Sequence, residues 1–177
     1  MVKATEKTLA DLFEHALKDI YYAEKKIYKT LPKMIKAAED PKLKQGLTKH
    51  RGETADQIEK LESVFALLDK KPRAVKCDAI DGILAEGAEL LEDFGGTVAG
   101  DAAIIFSCQA VEHYEITRYG SMHAFATALG HKEAAGLIAS ILAQEKTADV
   151  DLSKLAKARV NHAAQLYAPA KKAKKKA

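Results

Sequence analysis

Glu112 and Glu115 sit in the middle of a long helical pattern, on the side where that helix is otherwise apolar. Ile105, Cys108, Met122, Ala126 and Leu129 recur at helical spacing and mark one buried face. In the stretch Val111-Glu112-His113-Tyr114-Glu115 the two glutamates fall on that same face, one helical turn apart. A solvated helix keeps its carboxylates outward. Carrying two of them into a core is costly unless protons, partners or a cation compensate. A chain built this way has to fold around a polar interior.

Three further helical segments repeat the oddity. The first is predicted over residues 8–38, with Thr5 or Thr8 as cap. Its apolar stripe is Leu9, Leu12, Phe13, Ala16, Ile20, Ile27, Leu31 and Met34, and Glu24 lies squarely on it. Glu39-Asp40-Pro41 then stops one helix and starts the next, with Asp40 as cap and Pro41 at the first helical position. The second helix runs to about residue 68. Leu43, Leu47, His50, Thr54, Gln57, Leu61 and Phe65 carry its period, and His50 and Glu53 face the same way. A last long helix is expected over residues 132–166, where Glu145 and Asp149 interrupt the stripe of Ile138, Ile141 and Leu152.

Residues 70–97 are too long for a turn between adjacent antiparallel helices, and they contain a short amphipathic segment over residues 78–91. The third long helix follows, from about residue 98 past Leu129 to a stop at Gly130. Two helix hairpins joined by a long crossover with its own small helix describe an all-α, ferritin-like four-helix bundle. The expected limits are residues 1–168 for the bundle and 169–177 for a disordered Lys-rich tail. The low aromatic content and sparse glycine agree with a helical protein. No apolar run is long enough to span a bilayer, no signal peptide is visible, and Cys77 and Cys108 lack redox or metal-ligand spacing, so a cytoplasmic setting is expected.

In an antiparallel hairpin, residues equidistant from the turn share a height. Glu24 then lies opposite the neighbourhood of Glu53, Glu115 opposite Glu145, and Glu112 near the level of Asp149. All four helices place carboxylates at mid-bundle, and one adds an imidazole. The predicted metal ligands are Glu24, His50, Glu53, Glu112, Glu115, Glu145 and Asp149. Bridging carboxylates with some nitrogen suit a pair of divalent ions, iron first and manganese second. The rival reading is a metal-free network in which the acids share protons or pair with Arg118 or a lysine. His113 points off the shared face and reads as a packing or orienting residue. Tyr21, Tyr22, Tyr28 and Tyr119 read as core and boundary aromatics.

Four stretches carry a family resemblance: Leu9 to Glu24, His50-Arg51-Gly52-Glu53-Thr54, Val111-Glu112-His113-Tyr114-Glu115, and Glu145-Lys146-Thr147-Ala148-Asp149. Together they resemble the stress-associated YciE/YciF family of ferritin-like proteins. The resemblance implies a bacterial cytoplasmic four-helix bundle, often dimeric, with a dinuclear metal site and a link to osmotic and general stress. Activity is less defined: oxidation chemistry on dioxygen or peroxide, of an oxidoreductase or ferroxidase kind, is one expectation. The chain departs from the wider ferritin-like pattern of Glu-x-x-His on two helices. Here the order is His50 then Glu53, and the last helix has Glu145 and Asp149 without histidine.

The net charge of +3 hides an asymmetry, because removing the five lysines of the last seven residues turns it into −2. Lys171, Lys172, Lys174, Lys175 and Lys176 suggest a second expectation: a metal-independent scaffold touching nucleic acid weakly and nonspecifically through phosphate contacts. A storage cage is less favoured, since nothing in the sequence marks surfaces that close a shell.

Overall fold

Thr8 begins the first helix with a reciprocal cap. Its hydroxyl accepts from the Asp11 backbone N–H, while the Asp11 carboxylate accepts from the Thr8 N–H at 2.9 Å. The computed structural model describes residues 6–165, so Thr5 and the whole Lys-rich tail lie outside the described residues. Helix α1 spans Leu9–Ala37 and continues through Pro32. Asp40 caps α2, Pro41–Leu67, by accepting from the backbone of Lys42 and Leu43, and Pro41 opens the helix as expected. Helix α3 spans Asp78–Phe94, three residues longer than the sequence pattern indicated, and Gly95 and Gly96 end it. Helix α4 spans Gly100–Ala128 and stops at Gly130, whose positive φ of 78° an L side chain rarely adopts.

Helix α5, Lys132–Leu155, does not run straight on. Ala156–Val160 forms one π-helical turn before a short α6, Asn161–Gln165. Hydropathy periodicity gives no signal for that extra residue in the winding. Arg159, on the π turn, reaches back to Asp40 at 3.0 Å and ties the far end of the chain to the α2 cap. Asp101 ties the same turn to α4, accepting from the backbone N–H groups of Glu39 and Asp40 at 2.8 and 2.7 Å.

The four long helices pack in the cyclic order α1, α2, α5, α4, and α3 lies outside that ring against α4 and α1. Helices α1 and α2, and likewise α4 and α5, are joined by three-residue turns and form the two closest hairpins. The crossover between them is pinned where the Val75 N–H donates to the Lys18 carbonyl at 3.1 Å and the Tyr22 hydroxyl donates to Asp81 at 2.9 Å. Phe13, Leu17, Ile20, Leu61, Phe65, Ile138 and Ile141 are fully buried apolar side chains of the core. Truncating one such leucine to alanine typically costs about 2–5 kcal/mol. Leu9 and Leu12, expected on the α1 stripe, are exposed instead. The stripe enters the core only at Phe13. Among the described residues no strand forms, and no helix is long and apolar enough to cross a membrane.

Candidate metal centre

Ile20 and Ile27 hold the inner face of α1 in the core, and helical geometry carries Glu24 between them. The same phase logic turns His50 and Gln57 of α2, Glu112, Glu115 and Tyr119 of α4, and Glu145 of α5 inward. The four glutamates are no more than 2% exposed. One potential donor atom from each of His50, Glu112, Glu115 and Glu145 lies within 4.8 Å of the others. Nε2 of His50 is 3.4 Å from Oε1 of Glu112. Glu24 adjoins the cluster, close enough to Glu115 and Glu145 for each to shift its titration.

Two neutral side chains orient the acids. The Tyr119 hydroxyl donates to Oε1 of Glu24, and the Gln57 amide donates to Oε1 of Glu145. Five buried carboxylate oxygens have no partner at all: Oε2 of Glu24, Glu112 and Glu145, and both oxygens of Glu115. Among the described residues no lysine or arginine forms an ion pair with these four acids, and Arg118 lies over the Tyr114 ring instead. An unpartnered buried acceptor is expensive, and five of them facing one another are more so.

Ionisation shows the same strain. Burial, then the charge of Glu145, pushes the Glu24 carboxyl up to about 8, although the Tyr119 hydrogen bond works in the other direction. Burial and neighbouring carboxylates push Glu112 and Glu115 well above the ordinary carboxylate range, and Tyr119 well above the ordinary phenol. Such a core needs protons or cations between its oxygens. Four carboxylates match the charge of two divalent cations, with a neutral imidazole as a further donor. The donor set therefore fits such ions.

Glu53 and Asp149 occupy the edge. Glu53 is partly exposed, bonds Lys49, and stands 3.9 Å from Nδ1 of His50. Asp149 accepts from Nε2 of Gln109 at 2.8 Å and lies 3.3 Å from Nε2 of the exposed His113.

A family model described as a domain of unknown function, DUF892, matches residues 8–165. The chain belongs to the DUF892 family. Protein YciF of Escherichia coli (strain K12) is 38% identical over 160 residues, covering 90% of this chain and 96% of YciF. The crystal structure of YciF, described as an E. coli stress protein, superimposes with a TM-score of 0.83 over 88% of this chain and 99% of that one. YcfI from Rhodopseudomonas palustris is 45% identical, with a TM-score of 0.82 over 86% of this chain and 98% of that chain. At 22% identity and a TM-score of 0.69, a protein of Xanthomonas campestris shares the fold. The resemblance to YciF-type proteins read from the motifs is thereby shown.

Within this DUF892 chain, sequence reasoning missed two residues at the centre. From the sequence Tyr119 reads only as a core or boundary aromatic, and Gln57 only as a member of the α2 stripe. A signal existed for each. Tyr119 follows Glu115 by one helical turn on the same face, and Gln57 is a polar residue at a core position of α2.

Proposed function

We propose that this DUF892 chain is a ferritin-like four-helix bundle protein of the stress response, holding two divalent metal ions between its four long helices. The observation that carries the reading is the convergence of four buried glutamates and one imidazole, with five carboxylate oxygens left without a partner. Glu24, Glu112, Glu115, Glu145 and His50 would hold the ions. Iron, held more tightly than manganese by the same donors, is the first choice, and manganese, which suits carboxylates, is the alternative. Two ferrous ions supply two electrons, enough to reduce dioxygen to hydrogen peroxide, or peroxide to water, with uptake of two protons.

The protein's own side chains do the rest. Tyr119 and Gln57 hold one oxygen of Glu24 and one of Glu145, leaving the second oxygen of each without a partner. Glu53 stands 3.9 Å from Nδ1 of His50, whose other ring nitrogen faces Glu112. The protons that burial keeps on Glu24, Glu112 and Glu115 leave when cations arrive. The stress-response assignment rests on the relationship to YciF.

Metal content per chain tests the reading, measured by elemental analysis of protein purified without chelator and after reconstitution. About two iron or manganese ions per chain are expected, and a Glu112→Ala, Glu115→Ala double variant should lose them while keeping its helix content. A well-folded wild-type chain that takes up neither metal would overturn the proposal and leave a proton-sharing core.

A further inference from the structure

Two openings lead to the His50–Glu112 pair, and their walls differ in chemistry. Between α2 and α5 lies a cleft of about 370 Å³ whose wall includes Lys42, Lys49, Lys154 and Arg159 with Glu53 and Asp151. Water finds polar partners along that wall. The second opening is a half-open crevice of about 30 Å³ between α1, α3 and α4. Ile27, Leu31, Met34, Leu84 and Val111 make its wall almost wholly apolar, and His50 and Glu112 line its inner end.

The two hydroxyl groups on the crevice wall spend their protons elsewhere and can only accept. Thr30 donates to the Lys26 carbonyl at 3.0 Å and Ser107 to the Ala103 carbonyl at 2.9 Å, each within its own helix. A buried water needs two to four polar partners, while roughly 10–15 Å³ is room enough for one. Polar partners for a water are thus confined to those two hydroxyl oxygens and to the His50–Glu112 end, while the rest of the wall is apolar and suits a small apolar molecule. Gly87 of α3 helps form it: a Cβ there would meet Ser107 Cβ at 3.3 Å and Met34 Cε at 3.5 Å. The crossover helix thus closes down on α4 and roofs the passage.

We propose that this crevice is the seat of dioxygen beside the candidate metal centre. The inference rests on the metal reading and narrows its oxidant to one that favours an apolar wall. It also gives α3 a task beyond linking the two hairpins.

Xenon is the probe, because it enters apolar cavities of this kind and needs no metal. Methyl NMR of the full-length, metal-free protein under xenon pressure should show saturable shifts at Ile27, Met34 and Val111. Leu84→Phe should abolish them, since Leu84 lines the crevice and is only partly buried, so the larger ring takes up the space. Methyls unmoved at saturating xenon, or shifts that persist in a folded Leu84→Phe variant, would overturn the proposal. The wild-type measurement stands even if that variant misfolds. The metal reading fails separately: xenon bound in the crevice with no iron taken up would count against the metal centre and not against the gas site.

Discussion

Tyr119 donates its hydroxyl to Glu24 across the interface of α4 and α1, joining residues 95 positions apart in the chain. Both side chains are fully buried. A hydroxyl that deep needs an acceptor, and a carboxylate that deep needs a donor. Their pairing fixes the rotation of one acid relative to its neighbours.

Tyr119→Phe removes that donor and leaves Glu24 with both oxygens unpartnered. The metal-free variant should lose about 1–3 kcal/mol of stability. Urea unfolding followed by circular dichroism measures this, and an unchanged midpoint would mean that the hydroxyl bond contributes little in solution.

Gln57→Leu preserves bulk at a fully buried position but withdraws the amide from Glu145. Metal affinity should fall on the order of 10–100-fold, the usual effect of removing a group that orients a ligand. Titration of the metal-free protein with manganese reads this directly. Wild-type affinity in the variant would show that Glu145 needs no orienting partner.

Stability of the metal-free protein should fall as pH rises from 5 to 8. The folded chain keeps a proton on Glu24 up to about 8, while the unfolded chain releases it near the ordinary value of 4.5. The folded state therefore binds more protons in this window. That contribution is whole below 4.5 and is lost as pH rises through about 8. Glu112 and Glu115, also raised, act in the same direction. Bound metal reverses the trend because it requires ionised carboxylates, so the melting-temperature gain on adding metal should grow with pH. Thermal melts at both pH values, with chelator and with manganese, separate the two slopes.

Asp101→Ala tests the turn between α1 and α2. The carboxylate accepts two backbone N–H groups there, and its loss should cost about 1–2 kcal/mol. The centre lies elsewhere, so manganese affinity in the folded variant should be unchanged. A matching loss of metal affinity would reveal coupling between that turn and the buried acids.

Helical phase alone carried Glu24, Glu112, Glu115 and Glu145 into the interior, because a 3.6-residue period places each between apolar neighbours that must be buried. The caps at Thr8 and Asp40 and the stop at Gly130 were equally local, and so readable. Glu53 and Asp149 show where phase runs out. Each stands within a turn of a buried acid or imidazole, yet Lys49 holds the first at the surface and Gln109 and His113 hold the second at the edge. How deep each of these side chains sits depends on how neighbouring helices pack, which periodicity does not encode.

The sequence by itself determined that the chain is helical, where the caps at Thr8 and Asp40 and the stop at Gly130 fall, and that Glu24, Glu112, Glu115 and Glu145 must leave water. Those are consequences of local hydrogen bonding and periodicity. Only the tertiary structure decided that Tyr119 and Gln57 serve the acids, that a π turn carries Arg159 to Asp40, and that α3 roofs an apolar crevice beside His50 and Glu112. Each of these joins residues distant in the chain, and the order in which the helices pack brings them together.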